Sequence, residues 1–385
     1  MKRETAEDYD LFLADCRTIL QGIAPNTIDA AVTDPPYNLA FMGKKWDDLG
    51  GPGMFQAWCR DWGKHLYRAM KPGAYGVVFG GTRTYHRMVS GLEDAGFVIR
   101  DQLIWLYSEG MPKGLDVAKA IDKDAGAVRE IIGIGSSGTT RAVLNAALYP
   151  DTFGGDYAIT APSSDAARLY DGMRSQLKPA WEPIALIQKP PDRAIADNVR
   201  RWGVGALNIE ECRIPTTDTL VRPAIISEDN MVLGLGLGLG TQNEPDGRYP
   251  ANVLMDEDAA AQLDTMTGDR RSGKPREDRG ASRFFYNAKA NRRDRGAGNT
   301  HPTVKPIRLL RYLCRLVVPV VESERIPLVI DPFMGSGRIG IAVICEGGRF
   351  VGIEKDARSY EIAARHIPDA GDYFGWSDPF GDDVE

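Results

Sequence analysis

The sequence predicts an α/β fold built on a mostly parallel sheet, and three observations predict it. Short apolar runs alternate with amphipathic stretches of helical length, the rhythm of strands joined by crossover helices. Two of the runs end in turns carrying polar residues, Asp34-Pro35-Pro36-Tyr37 and Asp331-Pro332-Phe333-Met334-Gly335-Ser336-Gly337. Open α/β sheets hold their ligands at such strand ends. The chain has 385 residues and 43% hydrophobic content, enough for one large core or a catalytic domain with a second lobe.

Each element has a local reason. Residues 28–33 are an apolar run that reads as a buried strand leading into the Asp34 turn. Residues 54–70 have helical spacing and stop at Lys71-Pro72-Gly73, because proline and glycine break a helix. Strands follow at 74–79, closed by Gly80-Gly81, and at 97–106; the helix between them, 84–95, ends at Gly96. A fourth strand covers 184–188. The C-terminal part repeats the rhythm: helix 306–318 with proline in its first turn, strand 328–330, helix 337–346, strand 349–353 and helix 359–366. Between the blocks the pattern fails. Residues 108–178 hold one short helical stretch, 117–127, among Gly/Ser/Thr-rich segments, and 190–300 reads as irregular, with a Gly-Leu alternation at 234–240. Such regions carry recognition more often than core.

Composition narrows the classes. No run reaches the roughly 18 apolar residues of a membrane helix, and Met1-Lys2-Arg3-Glu4 opens no secretory leader. No membrane and a cytoplasmic location are therefore expected. The cysteines Cys16, Cys59, Cys212, Cys314 and Cys345 are dispersed, and the histidines are isolated. That pattern points to reduced thiols and to no metal site. Net charge is −6, but the distribution is uneven: Arg270 to Arg315 holds 14 basic and 3 acidic residues, whereas 366–385 holds 6 acidic residues and no Lys or Arg. A basic stretch of this kind serves either phosphate contact or a solvated surface.

The second turn has the features of a cofactor site. Gly335 and Gly337 let backbone approach a ligand closely. No Gly-Lys-Ser/Thr follows, so it is not a phosphate-binding P-loop. Asp331 ends one strand, where it can meet an ammonium group, and Glu354 ends the next, where it can bond ribose hydroxyls. Together they suit S-adenosyl-L-methionine. Ahead of this half, Thr303 and Lys305 lie in His301-Pro302-Thr303-Val304-Lys305-Pro306. That segment reads either as a stiff helix lead-in or as one wall of the cofactor pocket.

The first turn suits an exocyclic amine on a flat base. Such a nitrogen is a poor nucleophile because its lone pair is delocalised into the ring. Asp34 can accept one of its hydrogens and the Pro35 carbonyl another, while Pro36 holds the turn and Tyr37 stacks on the base. Methyl transfer from a sulfonium then needs positioning and electrostatics more than an enzyme nucleophile. A duplex base cannot present this nitrogen inside the stack, which implies base flipping.

With these residues in place, the chain resembles the site-specific amino-group (adenine-N6/cytosine-N4) DNA methyltransferases. Thr33-Asp34-Pro35-Pro36-Tyr37-Asn38 is similar to their catalytic motif, Asp331 to Gly337 to their cofactor motif, and Asn299 to Pro306 to the segment before it. The catalytic motif comes first, as in the beta group. Phe79-Gly80-Gly81-Thr82-Arg83-Thr84-Tyr85-His86, Lys178-Pro179-Ala180-Trp181-Glu182-Pro183-Ile184 and Arg283-Phe284-Phe285-Tyr286-Asn287-Ala288-Lys289-Ala290 resemble the phage and prophage type, with Trp181 where His is common and Asn287 where Cys is common. The resemblance implies a Rossmann-like S-adenosylmethionine-dependent methyltransferase fold, circularly permuted, with inserted recognition regions. Its parts are a catalytic half (9–107), an insertion (108–178), a core strand (179–190), a target-recognition region (191–298), a cofactor half (299–367) and an acidic tail (368–385).

Carried over residue by residue, the resemblance makes Asp34, Pro35, Pro36 and Tyr37 catalytic, with Asn38 supporting the turn. Asp15, in Leu13-Ala14-Asp15-Cys16 with Ala14 in place of the family's glycine, approaches the cofactor adenine. Thr303, Lys305, Asp331, Phe333, Gly335, Gly337 and Glu354 complete the cofactor pocket. Arg283, Lys289, Arg292, Arg293 and Arg295 are the expected phosphate contacts. The implied partner is double-stranded DNA, with a homodimer and an unseen restriction endonuclease left open. Asp at the first motif position is the more usual adenine form, so adenine-N6 leads and cytosine-N4 is the alternative. A non-catalytic DNA-binding protein is the rival outside enzymes; methylation of protein or RNA is disfavoured by the motif order.

Overall fold

The computed structural model describes residues 2–39, 47–108, 114–136, 156–216, 247–268, 280–288, 305–320 and 325–373. The chain divides into two compact units, Met1–Ser108 with Trp181–Glu385, and Glu109–Ala180. In chain order the described strands are β1 (Lys2–Thr5), β2 (Tyr9–Leu13), β3 (Ile28–Thr33), β4 (Met70–Phe79), β5 (Val98–Leu106), β6 (Ile131–Ser136), β7 (Asp156–Thr160), β8 (Trp181–Gln188), β9 (Val253–Asp256), β10 (Tyr286–Ala288), β11 (Leu328–Asp331) and β12 (Arg349–Glu354). The helices are α1 (Cys16–Gly22), α2 (Pro52–Ala69), α3 (Tyr85–Asp94), α4 (Val117–Asp124), α5 (Asp165–Leu169), α6 (Ile195–Trp202), α7 (Glu257–Thr267), α8 (Ile307–Val317), α9 (Arg338–Cys345) and α10 (Ala357–His366).

The larger unit carries a ten-stranded sheet in the order β1-β2-β12-β11-β3-β4-β8-β5-β9-β10. From β2 to β4 every neighbouring pair is parallel. β8 runs antiparallel to both β4 and β5, and Leu106 pairs with Trp181 across the β5–β8 ladder. All six residues of β3 are buried, as expected of a parallel strand covered on both faces. Alternate residues point to opposite faces, so Val32, Val77, Phe79 and Val329 join one core with α8 and α9. Ala31, Val78 and Ile330 join a second core with Phe55, Trp62 and Leu66 of α2 and Leu92 of α3. Helices therefore cover both faces of the sheet, the Rossmann-like arrangement.

Asp29 ties the two halves together at the N-terminal edge of the strands. It is 2% exposed, accepts from Lys71 Nζ at 2.7 Å and from the Leu328 amide at 2.8 Å, and pairs with Arg325. The smaller unit has its own sheet of β6 and β7. Its buried Asp122 accepts from Arg129, from the Ser163 and Ser164 amides and from the Ser164 hydroxyl.

The region read as irregular, 190–300, is not uniformly so. It holds α6, β9, α7 and β10. β9 and β10 extend the sheet beyond β5 in parallel, but with four and three residues they are too short to show alternation. The basic stretch is also partly interior. Arg308 and Arg311 are 1% and 4% exposed, and Glu346 bonds both Arg311 and Arg315. Tyr286, one of three neighbouring aromatics, stacks on Tyr312 in the core, with centroids 4.0 Å apart.

Candidate active site

Four adjacent parallel strands, β2, β12, β11 and β3, end at one edge of the sheet. Each is followed or closed by a carboxylate: Asp15, Glu354, Asp331 and Asp34. The chain order breaks between β11 and β3, and a crevice opens at such a switch point. The two turns, far apart in sequence, are thereby neighbours. Thr33 Oγ1 donates to Asp331 Oδ1 at 2.6 Å.

Asp331 is fully buried. Its Oδ1 also accepts from the Phe333 amide at 2.9 Å, whereas its Oδ2 is buried without a hydrogen-bond partner among the described residues. Burial, opposed by these two bonds and helped by the negative Asp34 and Glu354, lifts this carboxyl to about 8. An unmatched carboxylate oxygen at a strand end is a receptor for a cation. Glu354 braces the same turn. Its Oε2 accepts from the Gly335 amide at 2.9 Å and its Oε1 from the Asp356 amide at 2.7 Å; burial raises it above the usual carboxylate range.

Gly335 and Gly337 take φ of 51° and 84°, the left-handed region that glycine enters without strain. Phe333 stands among aromatics of α2, its ring centroid 5.3 Å from both Trp58 and Trp62. Asp15 caps α1 and holds Arg17 through its amide and guanidinium, which keeps it below the usual carboxylate range.

The Asp34 turn carries a polar cluster. Tyr37 Oη donates to Asp34 Oδ1 at 2.6 Å and lies 3.0 Å from Glu182 Oε2. Lys305 Nζ reaches Asp34 Oδ2 at 2.7 Å, Glu182 Oε2 at 3.1 Å and Tyr37 Oη at 3.2 Å. The lysine is 6% exposed and sits above the Phe79 ring. Burial disfavours its charge, but Asp34 and Glu182 outweigh that and hold its pKa above the usual lysine value. Burial together with the same two carboxylates raises the Tyr37 hydroxyl well above its ordinary value, so Tyr37 stays a neutral donor.

Behind the turn, Thr84 Oγ1 donates to the Tyr37 carbonyl at 2.6 Å. Asn38 takes φ of 56°; its side chain donates to Gly50 O and accepts from the Leu49 amide. Asp47 accepts from the Asn38 and Leu39 amides.

The structure thus gathers Asp34, Pro35, Pro36, Tyr37, Asp15, Asp331, Phe333, Gly335, Gly337, Glu354 and Lys305 at one sheet edge. Lys305, expected at the wall of the cofactor pocket, contacts Asp34 and Tyr37 of the first turn. Arg283 is not in this group. It precedes β10, at the N-terminal edge of the strands, and donates to the Gly280 carbonyl at 2.6 Å. Thr303, Lys289, Arg292, Arg293 and Arg295 lie outside the described residues. Glu182 was missed as a site residue. Its signal was its place in Lys178-Pro179-Ala180-Trp181-Glu182-Pro183-Ile184; because β8 is antiparallel, the beginning of that strand faces the edge where its neighbours end.

Away from this edge, a cleft of about 510 Å³ lies at the N-terminal ends of β11 and β12, lined by Asn208, Arg315, Arg325 and Glu346. Three of its charged residues already pair, Arg315 with Glu346 and Arg325 with Asp29. All five thiols are buried and free. No helix among the described residues is long and apolar enough to cross a membrane.

The profile of the N6/N4 DNA methylases, described as DNA methylase, matches residues 28–365. The Type II methyltransferase M.HindIII of Haemophilus influenzae is 22% identical over 323 residues, 83% of this chain and 71% of that protein. The Type II methyltransferase M.HpaI of Haemophilus parainfluenzae is 28% identical over 107 residues, 28% of this chain and 34% of that one. Among solved structures, the cytosine-N4-specific PvuII DNA methyltransferase aligns at a TM-score of 0.45 and 13% identity, over 96% of this chain and 93% of that chain. The M1.HpyAVI–SAM complex aligns at 0.40 and 15%, over 93% and 99%.

Proposed function

The chain belongs to the N6/N4 family of DNA methylases, S-adenosyl-L-methionine-dependent enzymes that act on DNA, and on that premise we propose that it methylates the exocyclic N6 of adenine in double-stranded DNA. One observation carries the reading: the Asp34 turn and the Asp331 turn meet side by side at one sheet edge, joined through Thr33. Asp34, rather than serine, at the first position of the tetrapeptide supports adenine over cytosine.

Asp34 accepts one hydrogen of the amine and the Pro35 carbonyl another, which draws the nitrogen toward a tetrahedral, nucleophilic shape. Proline at 35 and 36 fixes the turn, and Tyr37 supports the flipped base. Asp331 receives the cofactor's ammonium at its unmatched oxygen, and Glu354 bonds the ribose hydroxyls. Phe333 and Asp15 flank the adenine, and Gly335 and Gly337 admit the ligand to the backbone. When bound, S-adenosyl-L-methionine supplies an electrophilic methyl group on sulfonium. Negative charge at Asp34 stabilises the positive charge that develops on the amine. Lys289, Arg292, Arg293 and Arg295 contact phosphates by charge, and residues 108–178 and 191–298 read the DNA sequence.

The test is transfer of labelled methyl from S-adenosyl-L-methionine to unmethylated bacterial DNA, followed by nucleoside analysis. N6-methyladenine is the expected product. N4-methylcytosine would overturn the base assignment, and DNA binding without label would overturn the catalytic reading.

A further inference from the structure

Lys305 is a buried ammonium beside the carboxylate that must serve the target amine. On its own it would be a poor neighbour for that task. An ammonium 2.7 Å from Asp34 Oδ2 occupies an acceptor site and cancels the charge that stabilises a nitrogen turning positive. Glu182 changes the balance. Its Oε2 lies 3.1 Å from the same Nζ and 3.0 Å from Tyr37 Oη. Two carboxylates and one ammonium leave the cluster with one net negative charge. Glu182 is the second residue of β8, on the far side of β4 from β3, so it reaches the cluster from a different strand than Asp34. Among the described residues no other acidic side chain pairs with Lys305.

We propose that Glu182 is a positioning residue that acts through Lys305: it takes up the lysine's charge and shares its hydrogen bonds, so that Asp34 faces the amine with its own charge intact. This rests on the methyl-transfer reading above. Lys305 in turn anchors the turn: it fixes Asp34 from one side while Tyr37 fixes it from the other. The pairing is one of charge compensation, and compensation has a distinctive thermodynamic mark. Removing Glu182 should matter only while Lys305 is present.

The experiment is a double-mutant cycle on the full chain with Glu182→Gln, Lys305→Met and both together. It reads single-turnover methyl transfer, DNA KM and cofactor Kd. Glu182→Gln is expected to lower kcat by roughly a hundredfold with KM and Kd changed by less than about threefold. In the Lys305→Met background the same change should alter kcat by less than about threefold, and the double variant should exceed Glu182→Gln alone by about tenfold. Equal loss in both backgrounds would show that Glu182 acts independently of Lys305 and would overturn the proposal. So would a Glu182→Gln enzyme as active as the parent. If Glu182→Gln alone does not fold, because the buried ammonium loses a partner, the comparison of Lys305→Met with the double variant still decides. A parent that labels no DNA overturns the functional reading and this inference with it, whereas an active parent with an additive cycle overturns this inference alone.

Discussion

Lys305 and Asp34, 271 residues apart in the chain, meet with Nζ 2.7 Å from Oδ2. The residue that leads into α8 therefore grips the turn after β3 directly. Asp34→Ala should abolish methyl transfer, by more than about a thousandfold in kcat, because the amine loses its charged acceptor. Glu182 still pairs Lys305 in that variant, so folding and cofactor binding should persist. Isothermal titration with S-adenosyl-L-methionine beside single-turnover labelling separates the two. Loss of cofactor binding would take Asp34 out of the catalytic role.

Asp331 gives a pH dependence with a definite sign. Burial lifts its carboxyl to about 8, so at neutral pH the free protein holds it protonated. An ammonium at Oδ2 favours the ionised form. Cofactor binding between roughly pH 6 and 7 should then release close to one proton, and affinity should rise with pH until about 8. Calorimetry in buffers of different ionisation heat counts the proton, and a count of zero would refute the pairing. The stability effect runs the other way. A raised carboxyl contributes stability that is complete below its unfolded value near 3.9 and is lost as pH climbs through the folded value of about 8. Asp331→Asn should flatten that decline in thermal melts.

Gly337 opens α9 at φ 84°. A Cβ there would lie 2.9 Å from Ala363 Cβ and from two carbons of Ile367. Gly337→Ala meets both backbone strain and overlap, and should destabilise the fold by about 1–3 kcal/mol. A denaturant midpoint unchanged from the parent would contradict the packing described.

Asp29→Ala tests the opposite edge. It strands Lys71 and Arg325 and frees the Leu328 amide. Since Arg325 is partly exposed, the expected loss is moderate, about 3 kcal/mol. Methyl transfer per folded molecule should be preserved at low temperature, which distinguishes a structural carboxylate from those at the catalytic edge.

Much of the core was legible in the sequence. The expected strand at 28–33 matches β3, and helix 306–318 differs from α8 by one residue at each end. Long buried runs and proline or glycine stops leave little choice there. The turns at Asp34 and Asp331 were legible as motifs, but their contact through Thr33 is a matter of strand order, which periodicity does not encode. β9 and β10 escaped because short strands carry no measurable alternation. Glu182 escaped for a related reason: only the antiparallel direction of β8 brings the start of that strand to the site. Arg308 and Arg311 counted as surface charge until packing paired Arg311 with Glu346 and buried both.

The register pairing of Leu106 with Trp181 has a consequence for how this chain can vary. In chain order residues 109–180 fall between two hydrogen-bonded neighbours, the position that a hairpin loop has in sequence. Lengthening such a loop changes closure entropy only slowly, and none of its described strands belongs to the ten-stranded sheet. A change of length or sequence in this segment is therefore expected to leave the β5–β8 alignment in place, so that one part of the molecule could diversify while the ten-stranded frame stays constant.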